Sequence, residues 1–187
     1  YKFILLFVIL SSQAWGSIGT ITAAKSPGTL ERADGETLSS ELNTSLEMED
    51  KIETFQGGHR LEFIDETIVD MTSQSVLVID EYVYDPANNE GSLNLKAKLG
   101  TMRYASGKLA SNFRQNVKIS TPTSTIGVRG TDFTMTVDEL GGSTIVLLPS
   151  CDASGMCYTG EISVETDAGF VILNQAFQAT VTTHNMR

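Results

Sequence analysis

One rhythm dominates the sequence: short runs in which apolar and polar residues alternate at period two, each closed by turn-forming residues. Successive side chains of a strand point to opposite faces, so this alternation marks half-buried β-strands rather than helices. In Arg60-Leu61-Glu62-Phe63-Ile64-Asp65 it sends Leu61 and Phe63 to one face. Leu93, Leu95, Ala97 and Leu99 repeat the pattern, and Val76–Tyr84, bounded by Asp85-Pro86, is the strongest strand of the chain. Further strands are predicted at Ile18–Ala23, Val117–Ile119, Thr125–Val128, Phe133–Val137, Thr144–Leu148, Tyr158–Glu165, Gly169–Leu173 and Ala176–Thr182. Turn residues return roughly every eight to twelve positions, the spacing of a sandwich or roll. Asp85–Gly91 and Asp138–Gly142 read as exposed loops. Helix signals are thin, since Leu38–Met48 is rich in Ser and Thr, and Ser106–Phe113 has room for one turn only. The expected fold class is all-β, a single antiparallel β-sandwich or β-roll, solenoid-like, with little or no helix. At 187 residues, 41% of them hydrophobic, the chain has material for one sizeable core. No linker-like tract divides residues 17–187, which read as one domain.

Residues 1–16 stand apart. Lys2 precedes the unbroken apolar run Phe3–Leu10, and Ala14-Trp15-Gly16 ends the segment with small side chains where an export peptidase reads them. The run is shorter than the ~20 residues that span a bilayer. Two readings compete: a secretory signal cleaved before Ser17, or a retained apolar strand or anchor. The first makes the protein exported, with a periplasmic, cell-surface or extracellular destination. In such an oxidising compartment Cys151 and Cys157, separated by the polar turn Asp152–Met156, most simply form one disulfide. Free thiols are the alternative, and a redox pair lacks its usual spacing.

Charge and composition exclude several functions. With 13 Lys+Arg against 23 Asp+Glu, the net charge is -10. An acidic chain repels phosphate backbones and anionic membrane surfaces, so neither is an expected partner, and the shortness of the apolar run leaves no membrane span expected. His59 and His184 are few and far apart, which leaves no metal site and no base for a nucleophile. Neither Gly-x-Ser-x-Gly nor a phosphate-cradling loop occurs. Asp80, Glu81, Asp85, Asn88 and Asn89 offer oxygen ligands for Ca²⁺ but lack EF-hand spacing, and solvated loop acids are the simpler reading. No catalytic residue and no cofactor is expected.

The most informative stretch is Thr121-Pro122-Thr123-Ser124-Thr125-Ile126-Gly127-Val128-Arg129-Gly130-Thr131-Asp132-Phe133. Pro122 cannot donate to a ladder and pushes Thr121 into an extended conformation. Gly127 and Gly130 permit a bulge or close backbone approach on either side of Arg129. Set between apolar strands, Arg129 needs a carboxylate or several carbonyls, with Asp132 near in sequence and Asp80 farther off as candidate acids. Pro122, Gly127, Arg129, Gly130, Thr131 and Asp132 are therefore read as a structural motif in which a buried or half-buried Arg locks a sheet corner. The alternative is an Arg that binds a ligand.

This stretch resembles the FecR domain, whose signature reads roughly T-P-x-A-x-x-G-[IV]-R-G-T-x-[FY], with Ser124 here in place of Ala. The resemblance extends to Ile18–Thr22, Glu49–Thr54, Phe63–Asp65, Ser75–Pro86, Leu99–Lys108, Gly160–Val164 and Leu173–Gln175, with the Cys151–Cys157 loop as an insertion. The iron-transport regulators of that family add a cytoplasmic sigma-factor-binding segment, a membrane span and a further domain. This sequence does not display them, so the resemblance implies no transmembrane signalling. The function expected is that of an exported, non-catalytic binding or assembly module, with a protein, an envelope polymer or another copy of itself as partner. The alternative is a subunit of a homopolymeric extracellular filament built by strand donation, with Phe3–Leu10 as the donor.

Overall fold

The computed structural model describes residues 16–152 and 154–184, so the reading of Tyr1–Gly16 as an export signal lies, Gly16 apart, outside the described residues. The chain begins with β1 (Gly19–Ala24), β2 (Gly28–Glu31), β3 (Thr37–Ser40), β4 (Ser45–Leu46) and β5 (Lys51–Glu53). Then come β6 (His59–Phe63), β7 (Ile68–Met71), β8 (Val76–Asp85) and the long β9 (Glu90–Ala105). A five-residue helix, α1 (Lys108–Asn112), precedes β10 (Val117–Ser120), β11 (Thr125–Arg129), β12 (Asp132–Val137) and β13 (Ser143–Leu148). The chain ends with β14 (Ser150–Cys151), β15 (Cys157–Tyr158), β16 (Glu161–Thr166), β17 (Gly169–Leu173) and β18 (Ala179–Thr182). The fold is all-β, as the alternation predicts, and the single helical turn lies inside Ser106–Phe113.

The strands form two layers that share β9. One runs in the order β4-β1-β6-β7-β9-β12-β13-β18, the other β3-β2-β5-β8-β9-β10-β11-β16-β17. The first half of β9 pairs with β8 and β10 in the second layer, while Gly100–Ala105 pairs with β12 in the first. Gly100 makes the corner. Its φ is +89°, and a Cβ there would lie 2.2 Å from Ser75 Oγ, so conformation and space both require glycine. The alternation changes phase at the same point: Leu93, Leu95 and Ala97 are buried before it, Met102 and Tyr104 after it. Both halves therefore face one core, to which β1, β8, β11, β13 and β16 also contribute.

One pairing among the described residues is parallel, with Val117 of β10 opposite Leu93 of β9. Parallel neighbours need a crossover, and here α1 supplies it, carrying the chain back from the far end of β9. Buried Asp65 fixes that crossover. Its carbonyl accepts the Lys108 N–H at 2.8 Å, and its carboxylate accepts the Leu109 N–H at 3.0 Å, the Tyr82 hydroxyl at 3.0 Å and the Thr67 hydroxyl at 2.7 Å. Burial, together with the Asp65 charge, pushes the Tyr82 phenol far above its usual range, so it stays a neutral donor.

Candidate functional site

The Thr121–Phe133 stretch is the path from one layer to the other. It leaves β10 through a tight turn, runs along β11, crosses at Gly130-Thr131 and enters β12. Pro122, with its fixed φ and no N–H to satisfy, suits the second position of that turn. Thr121 closes the turn: its N–H donates to the Ser124 carbonyl at 2.8 Å, and its hydroxyl accepts the Ser124 N–H at 3.1 Å. Thr123 turns inward. Its hydroxyl lies 3.0 Å from the Gly141 carbonyl, 2.8 Å from the Thr182 hydroxyl and 3.2 Å from that of Ser143, all in the opposite layer. This clamp between layers is a residue that sequence reasoning passed over, because a Thr in a Thr-rich turn carries no signal of its own.

At the crossing, Gly130 takes φ +68° with no neighbour closer than 3.9 Å to a would-be Cβ, so the left-handed conformation alone demands glycine. Buried Thr131 is held by Ser106, whose hydroxyl accepts the Thr131 N–H at 2.9 Å and donates to its carbonyl at 2.7 Å. Thr131 Oγ1 in turn accepts the Gly160 N–H at 3.3 Å. Gly160 approaches so closely that a Cβ would lie 2.2 Å from the Gly130 carbonyl oxygen. Gly127, in mid-β11, faces Ser163, whose hydroxyl would sit 2.6 Å from an added Cβ.

Arg129 differs from its expected setting. It ends β11 with its side chain 52% exposed, and Nη1 donates to Glu161 Oε1 across the β11–β16 pair at 2.6 Å. Neither anticipated acid is its partner: Asp80 pairs with Lys96, and Asp132 with Arg103. The physical reason is alternation. Ile126 and Val128 occupy the core-facing positions of β11, so residue 129 points to the opposite face. Asp132, its side chain mostly buried, also accepts the Ser150 hydroxyl at 2.8 Å. Arg103 lies 3.7 Å from Asp70, and Asp70 pairs with Arg60 at 2.6 Å. Signs thus alternate across β6, β7, β9 and β12, and the Asp70 carboxylate raises the Arg60 pKa through its hydrogen bond.

The remaining candidates are dispersed. Cys151 and Cys157 form a disulfide across β14–β15, a two-stranded sheet of its own that exposes Met156 and Tyr158. Among the proposed Ca²⁺ ligands, Glu81 accepts hydrogen bonds from Ser92 and Asn94, while Asp85 closes its own turn through Ala87 and Asn88. No group of three or more His, Cys, Asp or Glu among the described residues is arranged to hold a metal ion. His59 does meet a serine, with Nε2 3.0 Å from Ser40 Oγ, a pair that the sequence, which sets them nineteen positions apart, does not advertise. Both side chains are buried, and the same nitrogen lies 2.8 Å from the Ser40 carbonyl, so the pair joins β3 to β6. A polar groove beside the Thr121–Thr125 turn is lined by Glu165, Asp167 and several threonines. None of the buried side-chain atoms without a partner (on Ser26, Asp50, His59 and Tyr104) belongs to a residue lining it. No helix among the described residues is long and apolar enough to cross a membrane.

Among known families, a model described as FecR protein matches residues 50–149. The matched stretch runs from β5 through β13, contains the whole Thr121–Phe133 path, and ends before the disulfide hairpin. It is narrower than the resemblance traced along the sequence, with β1–β4 and β16–β18 outside it. No curated protein matches the chain.

Proposed function

The chain belongs to the FecR family, whose domains work in signalling and binding and are in general non-catalytic, and from that premise we propose that it is an exported binding or assembly module of the cell envelope or extracellular space. The observation that carries this reading is how the family's motif uses its polar groups. Thr121, Thr123, Thr131, Asp132 and Arg129 bond to their own turn or to neighbouring strands, which makes the motif a brace and leaves recognition to strand edges and loops. The disulfide suits an oxidising compartment. The acidic surface favours cationic or neutral partners, whether a protein, an envelope polymer or a second copy of the chain.

Affinity capture from an envelope extract tests the reading. A specific protein or wall polymer retained on the immobilised chain is the expected result, and a clean blank contradicts it. Intact-mass measurement of the mature protein tests export, with cleavage before Ser17 expected. A second reading, the filament subunit, has one observation in its favour: among the described residues the outer edge of β17 is unpaired and can accept a strand. A mature protein that keeps Phe3–Leu10 supplies the donor; one that begins at Ser17 removes it.

A further inference from the structure

We infer that the cleft where the β1–β2, β5–β6 and β7–β8 loops meet is a binding site for phosphate, free or as a monoester. Each of these loops carries the chain from one layer to the other, and all three contribute to the cleft wall. Lys25, Gln56, Gly57, His59, Arg60 and Asp70 line it, and its volume of about 510 Å³ is more than a bare ion fills. The loops are tied to one another. The Lys25 N–H donates to the Gly58 carbonyl at 3.0 Å, the Gln74 N–H to the Phe55 carbonyl at 3.0 Å, and the Thr54 hydroxyl to the Thr72 carbonyl at 2.6 Å.

Two side-chain atoms at this place, Ser26 Oγ and His59 Nδ1, are buried without a partner. Buried polar groups left unpaired are costly and rare, and they mark positions where an ion or water belongs. Ser26 Oγ packs against Gly57, where an added Cβ would lie 2.7 Å from it. The N–H groups of Ser26, Gln56 and Gly57 donate to no backbone carbonyl among the described residues. The described lysine ion pairs are those of Lys51, Lys96 and Lys108, which leaves Lys25 free. Arg60 gives Nε and Nη2 to Asp70 and keeps Nη1, while Asp70, the one acid lining the cleft, is already shared with Arg103. Free cations and N–H donors around one spot suit an oxyanion. His59, 3% exposed, selects among oxyanions. Its Nε2 lies 2.8 Å from the Ser40 carbonyl, which only accepts, so Nε2 carries the hydrogen and Nδ1 of the neutral ring is an acceptor. A ligand that satisfies it brings a proton as well as a charge. Phosphate monoesters lose their second proton at about pH 6 and still carry it in part at neutral pH, whereas sulfate and carboxylates do not. Lys25 and Arg60 Nη1 then hold the charge, the N–H groups and the Ser26 hydroxyl, after a change of rotamer, hold the oxygens, and His59 takes the proton. The chain's charge of -10 repels a polyanion, but one small ion meets the local field of Lys25 and Arg60.

The site goes beyond the reading of the protein as an envelope module and is tested on the full mature chain by titration calorimetry at neutral pH. Inorganic phosphate is expected to bind, and sulfate on the order of tenfold more weakly. Glycerol 1-phosphate separates the two sources: an ester bound as tightly as phosphate marks a phosphorylated ligand, and an ester that is refused marks the free ion. Lys25→Gln, a change on an exposed side chain, weakens phosphate by about tenfold. Ser26→Ala weakens it as well but leaves the urea midpoint unchanged or higher, because it removes an unpaired buried hydroxyl, a combination that a purely structural serine does not give. The imidazole signals of His59 in NMR move with phosphate and stay still with sulfate. No binding at millimolar phosphate, sulfate bound equally well, or variants that bind like the parent overturn the site. A chain that ignores phosphate yet captures an envelope component loses this site alone, and one that binds phosphate but captures nothing keeps it.

Discussion

Gly130 and Gly160 show two different reasons for a glycine at neighbouring points of one crossing. Gly130 needs a left-handed conformation in open space; Gly160 needs room against the Gly130 carbonyl. Gly130→Ala is expected to lower the free energy of urea unfolding by about 1 kcal/mol, the cost of a Cβ in that conformation. Gly160→Ala is expected to lower it further, because its contact at 2.2 Å is with backbone and the strands must move. Asp50 makes a different kind of prediction. Its carboxylate is buried, with Arg32 Nη1 at 2.6 Å and the Glu47 N–H at 2.8 Å on one oxygen and no partner on the other. Burial outweighs these bonds and holds its pKa above the ordinary 3.8. The folded protein therefore binds this proton more tightly than the unfolded chain does. That contribution to stability is full below 3.8 and is lost as the pH rises through the folded value. Unfolding measured from acid to neutral pH should show the difference between the parent and Asp50→Asn moving in favour of the variant. A difference that moves the other way contradicts the assignment.

Elements differ in how plainly the sequence announces them. β6 was legible because it is long enough to repeat its alternation, and β8 because it opens on an unbroken apolar run, whereas β2, β3 and β5 bury only one or two side chains each and leave no period to read. β9 was half legible. Its buried positions change phase at Gly100, so the second half belongs to a different face and a different layer, information that lies in the corner and not in the pattern. The turn between β10 and β11 was recognised by its proline, but its role as an inter-layer clamp depends on where β13 and β18 arrive in space. Thr123→Ala is expected to cost about 1–2 kcal/mol in urea unfolding, and Thr123→Ser, which keeps the hydroxyl, distinctly less. The β14–β15 hairpin forms its own sheet, so its disulfide braces little beyond itself. Reduction is expected to leave the β-sheet circular dichroism intact. The loss of stability should fall below the ~2 kcal/mol that chain entropy assigns to so short a loop, since the reduced hairpin can fray while the core stays folded.

At the scale of the whole molecule, we propose that the described residues from Ser17 onward form one cooperative unit, because β9 lies in both layers and the motif ties them together at Thr123 and Thr131. The motif's place was legible from its glycines and proline, but the partner of Arg129 was not. An ion pair across β11 and β16 depends on which strands become neighbours, and that follows from the order of the whole sheet. Native-state hydrogen exchange, followed residue by residue, tests this unity most directly. Amides at the centre of both layers, in β7, β8, β11 and β12, are expected to exchange through a single opening of the same free energy, while β3, β17 and the disulfide hairpin exchange sooner. Two separate plateaus, with one layer opening while the other stays closed, would contradict the claim that the crossing at Gly130-Thr131 and the shared β9 make one structure of the two.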